Sequence, residues 1–343
     1  MQKLLNTLYI LSEDASLTLN GETVTVSRGG TRAGAFPLHT LQTICSFSRI
    51  APTPALLGKC VSAGIQVTLF SPYGKYLASV GGLENGNVLL RRKQYRTADN
   101  EVEAVTVARG FLAGKLYNSK FLLLRCARDH AMQVNAEKLR KAAETVSTQM
   151  SSLAEAMSGE SLRGLEGKAA VAYFGAFDEM LLQDKEAFAF SGRNKRPPED
   201  PVNALLSFAY TLLANDCASA LLGVGLDPYV GFLHTDRPGR KSLALDLMEE
   251  LRSVIADRSV LYLINNRMLT ASDFKKQESG AVLLTDDGRK TFLKEWQNRK
   301  QETLTHPFTG EKMPWGLVPH VQALLLARSL RGDLDGYPPF FWK

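Results

Sequence analysis

Hydrophobic and polar positions alternate with period two near the start of the chain. Leu17-Thr-Leu-Asn20-Gly21-Glu-Thr-Val-Thr-Val26 alternates on both sides of an Asn-Gly pair, the strongest short-range hairpin signal. A second hairpin is predicted from Gln66-Val-Thr-Leu-Phe70, a turn at Ser71-Pro-Tyr-Gly74, and Lys75-Tyr-Leu-Ala-Ser-Val80. Between them, Pro54 near a first turn and Gly64 beyond an end frame one helix over Ala55 to Ala63. The stretch Gly81-Gly82-Leu-Glu-Asn-Gly86 has the composition of a linker. Beyond it the period becomes helical, with helices expected over 100–124, 136–157, 163–182, 201–222, 241–257, 270–277 and 289–301. Asp200-Pro201 is a helix start, and Ser161 is a candidate cap for the third of these helices. The expected fold class is therefore α+β, with a small β-rich domain over residues 1–90 and a larger all-α-helical domain over 91–343.

Composition adds little to this picture. With 343 residues, 45% of them hydrophobic, the chain suits two folded domains and excludes wholesale disorder. The net charge of +6 permits a nucleic-acid partner without demanding one. Cys45, Cys60, Cys126 and Cys217 form no CxxC pair, so buried, reduced thiols are expected. The N-terminus makes a poor signal peptide, and no apolar run is expected to reach the ~20 residues of a membrane span. A cytoplasmic location without membrane contact follows as the expectation.

The missing motifs narrow the chemistry. There is no GxxxxGK[ST], no GxGxxG after a strand and no GxSxG, so P-loop hydrolysis, dinucleotide redox chemistry and an α/β-hydrolase elbow are poorly supported. Three positions stand apart. Glu166 lies among small residues in Ser161-Leu-Arg-Gly-Leu-Glu166-Gly-Lys-Ala-Ala, where backbone can approach another element or a ligand. Taken singly, it also fits an ordinary glutamate complementing a helix dipole. His234 sits between an apolar stretch and a Gly/Pro/Arg loop, and a satisfied structural histidine explains it equally. Asp246 and Glu249 are i,i+3 neighbours beside the apolar stripe of Leu243, Leu247, Leu251 and Val254, or else a solvated acidic patch. Together, an imidazole and carboxylates make a sound ligand set for Mg²⁺ or Mn²⁺. Arg193, Lys195, Arg196, Arg237, Arg240 and Lys241 flank the same segments as candidate phosphate contacts.

Four motifs occur in a familiar order. Leu162-Arg163-Gly-Leu-Glu166-Gly-Lys-Ala-Ala-Val-Ala-Tyr-Phe174 resembles the glutamate motif of the CRISPR adaptation integrase, the first-numbered Cas protein. Asp200-Pro-Val-Asn203-Ala-Leu-Leu-Ser-Phe-Ala-Tyr210 resembles its central helix motif, Gly225-Leu-Asp-Pro-Tyr-Val-Gly-Phe-Leu-His234 its histidine motif, and Ser242-Leu-Ala-Leu-Asp246-Leu-Met-Glu249-Glu250 its acidic helix. Gly64-Ile-Gln-Val-Thr-Leu-Phe-Ser-Pro-Tyr-Gly74 and Arg91-Arg-Lys-Gln-Tyr95 agree as well, so the resemblance covers nearly the whole chain. The tail Gly336-Tyr-Pro-Pro-Phe-Phe-Trp-Lys343 looks like the subtype I-C branch.

The resemblance implies an N-terminal β-domain for dimerisation and a helical catalytic domain. It implies Mg²⁺ or Mn²⁺ held by Glu166, His234 and Glu249, with Asp246 as a supporting acid. The implied reaction is attack by the 3′-hydroxyl of a new spacer fragment on a phosphodiester of the repeat array, with DNA cleavage when water replaces that hydroxyl. The implied partners are prespacer and repeat or leader DNA, a second copy of the chain, the small second Cas protein and a nuclease that trims prespacers. Arg163 and Asn203, within the motifs, join the candidate DNA contacts. A catalytically silent DNA-binding scaffold is the alternative, and a helical enzyme unrelated to nucleic acid leaves the four ordered motifs as coincidence.

Overall fold

The computed structural model describes residues 7–41, 43–72, 76–81, 88–194 and 197–343. The chain divides into two compact units. The first comprises Met1–Asn85, Leu284–Thr303 and Met313–Leu317, and the second Gly86–Leu283, Leu304–Lys312 and Val318–Lys343.

The first unit contains β1 (Thr7–Ile10), β2 (Ala15–Asn20), β3 (Thr23–Arg28), β4 (Thr31–Pro37), β5 (Thr43–Ser46), α1 (Pro54–Ser62), β6 (Gln66–Phe70) and β7 (Tyr76–Val80). Strands β2, β3 and β4 form an antiparallel meander. The other four form a sheet in the order β1-β5-β6-β7, with the β5–α1–β6 crossover parallel and the last pair antiparallel. Alternation turns Leu17, Val24 and Val26 inward, where they meet Ile44, Leu56 and Val67. Both expected hairpins are present, but the first turn is not the Asn-Gly type. Asn20 pairs with Thr23, so the loop is Gly21-Glu22, and among these only Gly21 has positive φ (57°). A type I′ turn needs positive φ at both central residues, whereas a glycine at the first alone matches type II′. Tyr73, Gly74 and Lys75 of the second turn, and residues 82–86 of the expected linker, lie outside the described residues.

The second unit is helical: α2 (Val88–Asp99), α3 (Glu101–Asp129), α4 (Ala136–Ser151), α5 (Gly159–Gly175), α6 (Pro201–Val224), α7 (Ser242–Glu249) and α8 (Arg258–Asn265). Helix α9 (Asp286–Gln301) belongs to the first unit, and α10 (Val318–Arg331) to the second. Caps set the starts. The Asn100 side chain accepts from the amides of Val102 and Glu103, and Asp200 accepts from Asn203 just before Pro201. Ser158, not Ser161, caps α5, which therefore begins four residues earlier than its apolar pattern suggests.

Other differences have local causes. The stretch 270–277 is not a helix: Thr270 and Asp273 close a capping box over a single 3₁₀ turn, and β8 (Phe274–Lys276) follows. No apolar residue recurs in Lys275-Lys276-Gln277-Glu278 to give a helix a face to bury. The expected helix over 241–257 stops at Glu249 and resumes as a widened π turn over Arg252–Asp257. Helix α6 overturns one exclusion. It is long and apolar enough to cross a membrane, but Val202, Leu205, Ala209, Leu213, Cys217 and Leu221 are buried as core against α7, α8 and α10.

Candidate functional site

Three segments of the helical unit carry the site. Glu166 stands on α5 between Gly164 and Gly167, where open space surrounds both glycines. His234 lies in the loop before α7, and that loop is fixed from two sides. Buried Gln94 of α2 donates to the carbonyls of Asp227 and Val230, each at 2.8 Å, and accepts from Asp227 N at 2.9 Å. Asp246 of α7, fully buried, accepts the amides of Phe232 (2.6 Å), Leu233 (3.0 Å) and His234 (3.0 Å). A Cβ on Gly231 would come within 2.8 Å of the Asp246 carboxylate and 2.9 Å of the Ser242 backbone, so only glycine allows this approach.

The same carboxylate orients the imidazole. His234 Nδ1 lies 2.6 Å from Asp246 Oδ1. With Nδ1 donating to an acid, the lone pair resides on Nε2, the arrangement found behind metal-bound histidines.

Glu166 and Glu249 converge on one cation. Lys115 of α3 donates from Nζ to Glu166 Oε1 and lies 2.6 Å from Glu249 Oε2. Arg252 Nη1 bonds both oxygens of Glu249, at 2.9 and 3.1 Å. Burial alone would raise the Glu249 carboxyl, but the charges of Arg252 and Lys115 outweigh it and hold it well below the usual range. Glu249 is thus ionised throughout the neutral range. Behind it, Arg252 lies over the Tyr210 ring (4.3 Å), and the Tyr173 and Tyr210 hydroxyls donate to buried Asp257 at 2.7 and 2.6 Å. Burial pushes the Asp257 carboxyl up, despite both phenols and Arg252.

The structure thus gathers Glu166 and Glu249 around Lys115 and sets Asp246 behind the His234 imidazole. Two carboxylate oxygens around a place already held by positive charge suit a divalent ion such as Mg²⁺ or Mn²⁺, while among the described residues no three His, Cys, Asp or Glu side chains stand grouped closely enough to hold one as they are.

The candidate phosphate contacts separate into groups. Arg163, one turn before Glu166, is exposed and reaches Leu233 O at 3.4 Å. Arg237 is exposed, and Arg240 is half-buried. Lys241 is half-buried, donates to Asn215 at 3.3 Å and is lowered to about 8 by burial. Two candidates are corrected. Asn203 is fully buried, its carboxamide closing the 192–203 loop onto Gly192 O and Asp200. Arg193 bonds Asn203 (2.6 Å) and Ser207 (3.0 Å) and lies over Tyr210, so its guanidinium fastens the loop. Lys195 and Arg196 lie outside the described residues. Sequence reasoning missed Lys115, Gln94 and Arg252. Only Arg252 left a signal, its i,i+3 spacing from Glu249.

Next to Glu249, Glu250 is fully buried and faces the C-terminal tail, whose aromatics pack back onto this unit. It accepts from Tyr337 Oη, from Phe340 N at 2.8 Å and from Gln322 at 2.9 Å. Burial outweighs these bonds and raises its carboxyl to about 7. A raised folded value contributes stability that is complete below the unfolded value and is lost as pH rises through 7. In chelator, the free energy of urea unfolding is expected to fall by up to about 3 kcal/mol between pH 5 and 8 through this group. Glu250→Gln is expected to flatten that slope, and an unchanged slope would refute the assignment.

Comparison with known proteins places the site in a family setting. The family model described as CRISPR associated protein Cas1 matches residues 8–298. The chain is 49% identical to the CRISPR-associated endonuclease Cas1 1 of Chlorobaculum tepidum, over all of both chains. It is 48% identical to the CRISPR-associated endonuclease Cas1 2 of Rhodospirillum rubrum, again over all of both. In fold it matches the solved structure of a CAS1 protein from Thermotoga maritima, with a TM-score of 0.82 at 23% identity over 95% of this chain and 97% of that one.

Proposed function

The chain belongs to the CRISPR-associated Cas1 family, and from that premise we propose that it is a metal-dependent DNA integrase and endonuclease of CRISPR adaptation. The observation that carries this reading is the meeting of Glu166 and Glu249 on a single cation beside an imidazole oriented by Asp246.

Glu166, His234 and Glu249 hold Mg²⁺ or Mn²⁺. A divalent ion there supplies charge stabilisation at a phosphoryl oxygen and lowers the pKa of the attacking hydroxyl. Glu249 is ionised beforehand, so it need not lose a proton to serve as a ligand. Asp246 fixes the His234 ring, and with Nδ1 donating to it the Nε2 lone pair is left free of the proton. Exposed Arg163 holds the phosphodiester backbone alongside Glu166, with Arg237 and Arg240 as further contacts. The 3′-hydroxyl of a prespacer end then gives up its proton and forms a bond to phosphorus at the repeat border as the bond from phosphorus to the repeat strand's own 3′-oxygen breaks, and that oxygen takes up a proton to leave as a 3′-hydroxyl. Water in place of the hydroxyl gives cleavage.

The motif resemblance supports the same set of partners: a second copy of this chain, the small second Cas protein, leader and repeat DNA, and a prespacer-trimming nuclease. A cytoplasmic setting is supported by four buried cysteines, none of them in a disulfide. The test is a half-site integration assay with a labelled prespacer and a plasmid bearing the repeat. Joined or cleaved product is expected with Mn²⁺ and none with EDTA. Absence of both products with Mn²⁺ and with Mg²⁺ would overturn the reading.

A further inference from the structure

Lys115 has an unusual position. Its side chain is 11% exposed, and the two acids it joins, Glu166 and Glu249, are two of the ligands read above. Arg252 already bonds both oxygens of Glu249, so the lysine is not needed to neutralise that carboxylate. Its ammonium instead lies where two carboxylates of different helices face each other.

We propose that Lys115 is a positioning residue whose ammonium stands in for the divalent ion between Glu166 Oε1 and Glu249 Oε2, and that the ion binds by displacing it. The inference rests on the reading of Glu166, His234 and Glu249 as the ligand set. Two cations cannot share one pair of oxygens, because like charges at such separations repel strongly in a half-buried site. Lysine suits the part, since its compact ammonium rides on a flexible stem and can leave without moving the helix. Space for it exists. A cavity of about 20 Å³ borders Lys115, lined also by Ala169, Tyr173, Arg252 and Asp257. That volume accepts one water-sized group. Without metal, the lysine keeps Glu166 and Glu249 from repelling each other. When the ion arrives it competes, so it lowers the apparent metal affinity.

The test measures Mn²⁺ binding to the full chain, stripped with EDTA and titrated by electron paramagnetic resonance. Lys115→Met is expected to bind Mn²⁺ at least about tenfold tighter than wild type, a size usual for coupled sites. Its metal-free form is expected to unfold at lower temperature and to gain more from Mn²⁺. The variant keeps the length of the stem, and Glu249 keeps Arg252, so the fold is retained. A second measurement needs no variant: acetylation of Lys115 in wild type, read by mass spectrometry, is expected to rise several-fold when Mn²⁺ is added. Unchanged or weaker binding in Lys115→Met, or labelling that Mn²⁺ leaves unchanged, overturns the proposal while the ligand set stands. Glu166→Gln separates the two readings. If it binds Mn²⁺ as wild type does, the ligand set fails and the proposal with it.

Discussion

Glu166→Ala and His234→Ala are each expected to lower Mn²⁺-dependent joining and cleavage at least about 100-fold, beyond the 10–100-fold typical of losing a group that only supports a ligand. Folding should change little. The Glu166 and His234 side chains are 29% and 23% exposed, so truncation leaves no large void. Lys115 keeps Glu249 when Glu166 is lost, and Asp246 keeps three backbone amides when the imidazole is lost. Glu249→Ala is a poorer test of the site. It strips Arg252 and Lys115 of a buried partner, and breaking such a pair costs about 3–5 kcal/mol, so lost activity there is mixed with lost folding. Activity assays paired with thermal unfolding separate these cases. Wild-type turnover in Glu166→Ala or His234→Ala would remove that residue from the ligand set.

Deleting residues 337–343 is expected to destabilise the second unit by at least about 4 kcal/mol, since removing a fully buried phenylalanine alone costs about 3–5 kcal/mol. Phe340 is that residue. The deletion also takes the Tyr337 hydroxyl and the Phe340 amide from Glu250. Asn118, which donates to the carbonyls of Glu250 and Phe340 at 2.7 Å each and accepts the Trp342 amide at 2.8 Å, loses two of these three bonds. Helix α3 lies close to this tail and to the acid it covers: a Cβ on Gly110 would meet Tyr337 at 3.0 Å, and one on Gly114 would meet Glu250 at 2.6 Å and Pro339 at 3.5 Å. Urea unfolding of the truncated and intact chains decides the matter. Stabilities within about 0.5 kcal/mol of each other, the range of ordinary surface changes, would show the tail to be an ornament.

Legibility from sequence followed the range of the forces involved. Leu17 to Val26 announced its strands because one face is buried, yet its turn was misassigned because the glycine's place relative to the pairing register depends on the partner strand. Helix α2 escaped notice because polar residues outnumber apolar ones along it; its buried Gln94 binds residues more than a hundred positions away. Glu166, His234 and Glu249 were found through ordered motifs, and spacing alone left each with a plain structural alternative. Lys115 could not be found, since it meets Glu166 across 51 residues and its own helix shows no sign of an acidic partner. Asn203 misled for the opposite reason: a polar residue in a recognised motif suggested a ligand contact, while the fold spends it on closing a loop.

The apolarity of α6 has a consequence for how the chain is made. On a ribosome this helix emerges well before α10, which covers it and lies about a hundred residues further along. Until then a segment as apolar as a membrane anchor has only part of its cover, α7 and α8 arriving first, and in that interval it is open to insertion machinery and to neighbouring nascent chains. Slowing translation over residues 225–331 is therefore expected to lower the yield of folded protein, and an unchanged yield would show that α6 is sheltered without α10.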